Sequence, residues 1–442
     1  MAASLPDGIF SFLDTDLYKL TMQCAVLKYY SSVDVEYAFT NRTPDMRLNK
    51  QAFEWLQDQV AKLANITLSS RELRFLRKNC PFLTEDYLVY LQNFQLRPEE
   101  QVKLTFRPTE GDFGDVQTQV AGKWVETILY EIPLLALTSE AYFKFVDKDW
   151  THDGQEENAY KKGVQLLQAG CVFSDFGSRR RRDFETQSRV VKGLVRASKE
   201  VSGPGKLTGT SNVYMAMENG ISPIGTVAHE WYMGIAAISD KYETANEMAL
   251  KFWLETFGKG VLGIALTDTF GTPDFFQAFS KPIRRRRASV ADENAFKDAT
   301  AQPSYAEVFT GIRQDSGDPK EYVKQASEFY ENHGFQKQGI VFSDSLNVDR
   351  CVEYRELAEA HGFKPSFGIG TFFANDFTLK SDPSTKSKPL NIVIKLSKAS
   401  GEPAIKLSDD IGKNTGSDKK VEEVKQRLGY TDRSWISEAN RW

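Results

Sequence analysis

The residues best suited to chemistry in this 442-residue chain lie in the stretch Gly225-Thr226-Val227-Ala228-His229-Glu230-Trp231. An apolar run at 224–228 ends on a histidine, an acid and an aromatic, which reads as a buried strand handing its last side chain to a polar space. The chain has four histidines. His152 sits in a polar run, and His333 and His361 each precede a glycine at the end of a helical pattern, where a cation suits the helix dipole. An imidazole at position 229 could act as a base, a metal ligand or a phosphate acceptor. The plainer reading is a histidine satisfied by hydrogen bonds inside a core.

Stepping outward, the sequence from 156 alternates helix and strand. Strand patterns fall at 171–176, 207–210, 224–228, 261–267, 308–312, 339–342 and 366–369, with helical patterns at 157–168, 184–201, 241–257, 319–332 and 348–361. Repeated βα units build parallel sheets, and about seven can close into a barrel. Each strand pattern ends in polar or glycine-rich residues: Ser174-Asp175-Phe176-Gly177, Thr210-Ser211-Asn212, His229-Glu230, Thr267-Asp268-Thr269, Arg313-Gln314-Asp315-Ser316-Gly317, Ser343-Asp344-Ser345 and Gly368-Ile369-Gly370-Thr371. One such pair is an ordinary helix cap. Seven on one rim, with an arginine and the isolated histidine among them, mark a candidate active site, because the carboxyl ends of barrel strands converge on one mouth.

The flanks differ. Residues 1–150 mix a helix opening at 13–22, a strand at 33–39, helices at 50–63, 70–79 and 84–94, strands at 102–106 and 116–125, and a long helix at 127–145. Ser69 and Glu72 have capping-box spacing, and Ala121-Gly122 suggests a hairpin inside 116–125. Segment 381–442 carries a second hairpin, 391–396 with 404–407 around Gly401, then a helix at 421–428. It is expected to pack back on the N-terminal region, with 151–380 as the catalytic unit. A net charge of −4 offers no general field for nucleic acid or anionic membrane. The scattered Cys24, Cys80, Cys171 and Cys351 read as reduced thiols. No signal peptide and no apolar stretch of membrane-spanning length is evident, so the expected address is cytoplasmic, with the nucleus open. Of two arginine runs, 179–182 begins on the rim, where a guanidinium could bind phosphate, and its later members are expected to be solvated. The run 284–287, followed by Ser289, lies in a polar insertion at 282–305. It resembles a kinase substrate site, although a surface charge run without a role is the simpler reading.

These motifs, together with Asp16-Leu17-Tyr18-Lys19, Glu131-Ile132-Pro133-Leu134-Leu135, Phe176-Gly177-Ser178-Arg179-Arg180 and Phe367-Gly368-Ile369-Gly370-Thr371, resemble the nicotinate phosphoribosyltransferase family in its fungal form, nearly end to end. The resemblance implies an α/β fold: an irregular, TIM-like βα barrel of about seven parallel strands, with a smaller α+β sandwich built from both chain ends. It implies phosphoribosyl transfer from phosphoribosyl pyrophosphate to nicotinate, giving nicotinate mononucleotide and pyrophosphate. ATP hydrolysis would be coupled through a phosphohistidine, in NAD salvage by the Preiss-Handler route.

By the same resemblance His229 takes the phosphoryl group, oriented by Glu230 or another rim carboxylate. Asp268 and Asp315 stand near the ribose hydroxyls and the magnesium pyrophosphate, and Asp344 is another ribose contact. Arg179 and Arg313 surround the pyridine ring and its carboxylate, with Thr226 and Ser211 beside them. Gly368, Gly370 and Thr371 form the 5′-phosphate loop. Tyr18 stacks on the ring, donated by the partner subunit in dimeric relatives, so a homodimer is the expected assembly. Mg²⁺ is expected to bind through substrate phosphates without direct protein ligands. Nicotinamide-using relatives carry an aspartate where Ser211 stands, and a neutral side chain there suits a carboxylate substrate better. The alternatives are a nicotinamide phosphoribosyltransferase and a catalytically dead barrel serving as a scaffold. A Schiff-base aldolase is disfavoured because no rim lysine stands at a strand end.

Overall fold

The computed structural model describes residues 7–283, 302–409 and 414–430. Ser289 and the arginine run before it lie outside the described residues.

The strands, in chain order, are β1 (Asp34–Asn41), β2 (Leu48–Asn49), β3 (Val102–Pro108), β4 (Phe113–Lys123), β5 (Val172–Asp175), β6 (Lys206–Thr210), β7 (Ser222–Pro223), β8 (Ile264–Leu266), β9 (Gly311–Gln314), β10 (Gly339–Phe342), β11 (Lys364–Ile369), β12 (Ile392–Ala399) and β13 (Glu402–Pro403). They form two sheets. The seven-stranded sheet is parallel and runs β7-β6-β5-β11-β10-β9-β8. It curls into a half-barrel around buried Phe173, Ile312, Ile340, Phe342, Phe367 and Ile369. Buried apolar side chains in β5, β9, β10 and β11 suit this position, since helices cover a parallel sheet and leave it no wet face. The second sheet is antiparallel, ordered β13-β12-β1-β4-β2 with β3 on β4. Its centre pairs β1 with β12, so strands from both ends of the chain share one sheet.

Four readings of the sequence change here. Segment 224–228 is not a strand. The local strand is only Ser222–Pro223, and His229 opens the helix His229–Ser239. Gly225 bends the chain with φ +155°, and a Cβ there would lie 3.1 Å from the Tyr18 backbone nitrogen. The segment is held instead by Thr21 Oγ1, which donates to the Thr226 carbonyl at 2.7 Å. The expected hairpin at Ala121-Gly122 is one continuous strand, β4, whose turn to β3 lies before Phe113. Residues 404–407 do not complete the second hairpin. They leave β13 to run beside the mouth of the half-barrel, where the Leu407 N–H donates to the Thr269 carbonyl at 2.8 Å.

The fourth change concerns the arginine run. Arg181 and Arg182 are 1% and 0% exposed, not solvated. Arg181 makes a two-pronged pair with Asp14 at 2.6 and 2.7 Å. Arg182 is enclosed by the rings of Phe143, Trp150 and Phe377 and donates to Asn375 and Ser387. Removing one partner of such a buried pair typically costs about 3–5 kcal/mol. These arginines therefore pin the turn after β5 against the rest of the molecule. Within its polar run, His152 places Nε2 2.8 Å from Asp183 Oδ2, and Asp183 caps the helix Phe184–Glu200. His333 and His361 meet helix carbonyls at 2.9 Å, as their positions suggest.

Candidate active site

The strand ends of the half-barrel and the antiparallel sheet face each other across a cleft of about 390 Å³. Tyr18, Arg179, Ser211, Thr226, His229, Arg313, Asp315, Asp344, Gly368, Gly370 and Thr371 all line it. Asp268, 1% exposed, stands just behind the wall. Tyr18 lies on the helix Leu17–Tyr29.

His229 occupies the first position of its helix and is the hub of one end. Its Nδ1 is 3.0 Å from Thr269 Oγ1, and its Nε2 is 3.2 Å from Asp315 Oδ2 and 2.9 Å from Lys406 Nζ. Burial, reinforced by Lys406, holds the imidazole below its ordinary pKa against the pull of Asp268 and Asp315. An ammonium can only donate, so in the neutral ring Nε2 accepts from Lys406 and the proton sits on Nδ1, facing Thr269. In the charged ring Nε2–H donates to Asp315 instead. Glu230 does not orient His229. It accepts from Lys19, Tyr37 Oη (2.6 Å) and Trp124 Nε1 (2.8 Å).

Asp315 ties His229 to Arg313, whose Nη2 donates to Asp315 Oδ1 at 2.9 Å while its Nε donates to Ser343 Oγ at 2.7 Å. Burial would raise the Asp315 carboxyl, but Arg313 and His229 outweigh it and hold it well below the usual carboxylate range. Asp268 is likewise kept low, because Lys406 and His229 overcome its burial. Its Oδ2 accepts from Lys406 at 2.9 Å, and its Oδ1 is a buried oxygen without a hydrogen-bond partner among the described residues.

At the other end, Arg179 in the turn after β5 is 45% exposed and makes a loose pair, 3.6 Å, with Glu131. Of the two arginines expected around a ligand carboxylate, Arg179 is the one with donors facing the cleft; most of the Arg313 fork is taken. Ser211 Oγ donates to Asp16 Oδ1 at 2.7 Å, and Ser178 Oγ donates to the same oxygen at 2.6 Å. Burial pushes the Asp16 carboxyl up, against these two hydroxyls. Gly368 is required by a close approach: a Cβ there would lie 2.3 Å from the Phe176 ring, another wall of the cleft.

Reading the sequence named Asp16 and Phe176 only as members of motifs, without a role, and missed Arg42, Lys395 and Lys406 on this wall. For the lysines a signal existed. Lys395 interrupts Ile392-Val393-Ile394 and Leu396, and Lys406 interrupts Ala404-Ile405 and Leu407, and a lysine inside an apolar run is seldom there for packing. Lys395 is pressed down to about 7 by burial and then by Lys406 and Arg42. Arg42 is lowered by burial and by Arg179. Cations that lower one another across one cleft describe a site made for a multiply charged anion. Among the described residues no helix is long and apolar enough to cross a membrane, and no cluster of three or more His, Cys, Asp or Glu side chains is arranged to hold a metal ion.

Comparison with known proteins bears on this arrangement. Residues 171–432 match the model of the nicotinate phosphoribosyltransferase (NAPRTase) family, and residues 13–139 match the model of its N-terminal domain. A Schizosaccharomyces pombe protein described as a probable nicotinate phosphoribosyltransferase is 48% identical over 423 residues, covering 95% of this chain and 98% of its own. The nicotinate phosphoribosyltransferase of Saccharomyces cerevisiae is 44% identical over 446 residues, covering 98% of this chain and 99% of its own. A crystal structure of the Saccharomyces cerevisiae protein superposes with a TM-score of 0.89 at 43% identity, covering 97% of this chain and all (100%) of that one. With family models matching both halves and relatives of this identity along nearly the whole length, the chain belongs to the nicotinate phosphoribosyltransferase family.

Proposed function

We propose that the protein joins nicotinate to phosphoribosyl pyrophosphate, releasing nicotinate mononucleotide and pyrophosphate, and that ATP drives the step through phosphorylation of His229. The observation that carries this reading is a neutral imidazole embedded among Lys406, Asp315 and Asp268, next to the cationic wall of Arg42, Arg179 and Lys395. A neutral ring nitrogen is a competent nucleophile. It attacks the γ-phosphorus as the bond from that phosphorus to the bridging oxygen breaks and ADP leaves. Lys406, already 2.9 Å from Nε2, is placed to meet the phosphoryl oxygens.

In the second reaction the pyridine nitrogen bonds to the ribosyl carbon as pyrophosphate departs, and water then takes the phosphoryl group from His229 as inorganic phosphate, freeing the imidazole for the next turnover. The work is charge neutralisation and alignment, since the ribosyl centre turns cationic and the leaving group carries the negative charge. Asp344 and the Gly368–Gly370 loop would hold the sugar phosphate, with Tyr18 and Phe176 as aromatic walls for the ring. Mg²⁺, when bound, supplies further neutralisation of the phosphates. The ion would be held through the substrate phosphates, and the Asp268 and Asp315 carboxylates beside His229 would add negative charge that favours it.

The test is an assay of mononucleotide formation with nicotinate and with nicotinamide in parallel, together with labelled ATP. Nicotinate is the expected substrate, and acid-labile, base-stable label should be lost in His229→Ala. Turnover of nicotinamide alone, or label that survives that substitution, would overturn the proposal.

A further inference from the structure

Lys19 is a lysine with no exposed side-chain surface, held between two carboxylates, Glu131 Oε2 and Glu230 Oε2, each 2.5 Å from its Nζ. Glu131 continues the line to Arg179 at 3.6 Å, inside the cleft. At the far end Glu230 is anchored by Tyr37 and Trp124. Two cations and two anions therefore alternate along a buried path. The path begins in the cleft at Arg179 and meets the site again where Lys19 follows Tyr18 on one helix and Glu230 follows His229 on another. The same two elements are fastened again by Thr21 on the Thr226 carbonyl.

We infer that Glu131, Lys19 and Glu230 are positioning residues that couple occupancy of the Arg179 end of the cleft to the placement of His229. The inference rests on the ATP-coupled reading above. An anion seated at Arg179 competes with Glu131 for the guanidinium, and the 3.6 Å pair is the loosest link in the path. Deprived of that cation, Glu131 holds Lys19 more strongly. A buried charge cannot be left uncompensated, so the Lys19–Glu230 contact must readjust. Because Glu230 is fixed from outside, the first turn of the His229 helix and the Tyr18 helix shift relative to each other. The path runs without a break from the cleft to the residue beside His229.

The experiment measures ATP hydrolysed per mononucleotide formed by the full chain, in wild type, Lys19→Met, Glu131→Gln and Tyr37→Phe. The first two substitutions should raise that ratio about fivefold or more, the lower end of ordinary coupling energies. Tyr37→Phe removes one of the two anchors of Glu230 while leaving the charged path intact and should raise the ratio less than either of those two. If ATP hydrolysis and product formation fall together with the ratio unchanged in Glu131→Gln, the three residues are merely structural and the inference fails. It fails as well if Tyr37→Phe raises the ratio equally. Should Lys19→Met not fold, Glu131→Gln decides alone, since its amide oxygen can still accept from Lys19. A wild-type protein that forms product without consuming ATP would overturn the reading of the reaction, a failure visible before any variant is made.

Discussion

Replacing Lys406 by methionine removes the cation nearest to His229 while keeping most of the side-chain volume. At 2.9 Å from Nε2, in surroundings of effective dielectric about 20, one unit charge acts on another with roughly 6 kcal/mol. Water entering the vacated polar space will screen most of that, leaving about a quarter, or roughly one pKa unit. The sign is set by what remains. Burial still disfavours the imidazolium, but Lys406 no longer opposes it, while Asp268 and Asp315 continue to favour it. The pKa of His229 must therefore rise, and less of the neutral nucleophile is present at pH 7.

The assay is the initial rate of His229 phosphorylation by labelled ATP between pH 5.5 and 8.5. The acid limb in Lys406→Met should move to higher pH by about one unit. The plateau above it should drop by about tenfold or more, because the phosphoryl oxygens lose their nearest donor. Lys406→Arg, which keeps the cation, should leave the limb close to wild type. An acid limb that stays in place or moves to lower pH would refute the electrostatic reasoning, whatever happens to the plateau.

Ser211→Asp would set a second carboxylate beside Asp16, 2.7 Å from the present hydroxyl, and should lower kcat/KM for nicotinate more than about tenfold, while Ser211→Ala should cost less. Unchanged kinetics in the aspartate variant would remove Ser211 from substrate choice. Gly368→Ala should force the Phe176 ring or β11 to move, since the new methyl would lie 2.3 Å from that ring. A raised KM for the ring substrate and a stability loss of about 1–3 kcal/mol in chemical denaturation are expected. Burial pushes the Glu140 carboxyl up to about 7 from an ordinary 4.5, so its contribution to stability is full below pH 4.5 and is lost as pH rises through about 7. Glu140→Gln should then melt like wild type at pH 5 and be more stable at pH 8, by on the order of 3 kcal/mol, and a variant less stable at pH 8 would show the sign to be wrong.

The half-barrel was legible because a parallel sheet imposes one simple rule: apolar strand, polar strand end, covering helix. Asp315, Asp344 and Gly368 follow that rule, and finding them required no knowledge of what they touch. His229 reached the cleft by another route. Ile224-Gly225-Thr226-Val227 has a strand's composition, yet Gly225 and the close approach of the Tyr18 backbone turn it into an extended link into a helix. Local pattern cannot distinguish the two, because the deciding contact lies some two hundred residues earlier in the chain.

The arginine run 179–182 makes the same point within a few residues. Four identical side chains have separate fates: Arg179 faces the cleft, Arg180 reaches the Ile392 carbonyl, Arg181 pairs with Asp14, and Arg182 is enclosed by aromatic rings. Their partners come from both ends of the chain, so no window around the run could separate a ligand-facing guanidinium from a structural one. The cations Arg42, Lys395 and Lys406 are also supplied by the antiparallel sheet and the segment after it, not by the half-barrel. Strand ends of the half-barrel thus provide Arg313, Asp315 and Asp344, the link after β7 provides His229, and the flanking sheet with the segment after it provides half of the cations lining the cleft. The cleft is then formed where two elements meet, and the strand-end rule, which describes only one of them, could recover only that half.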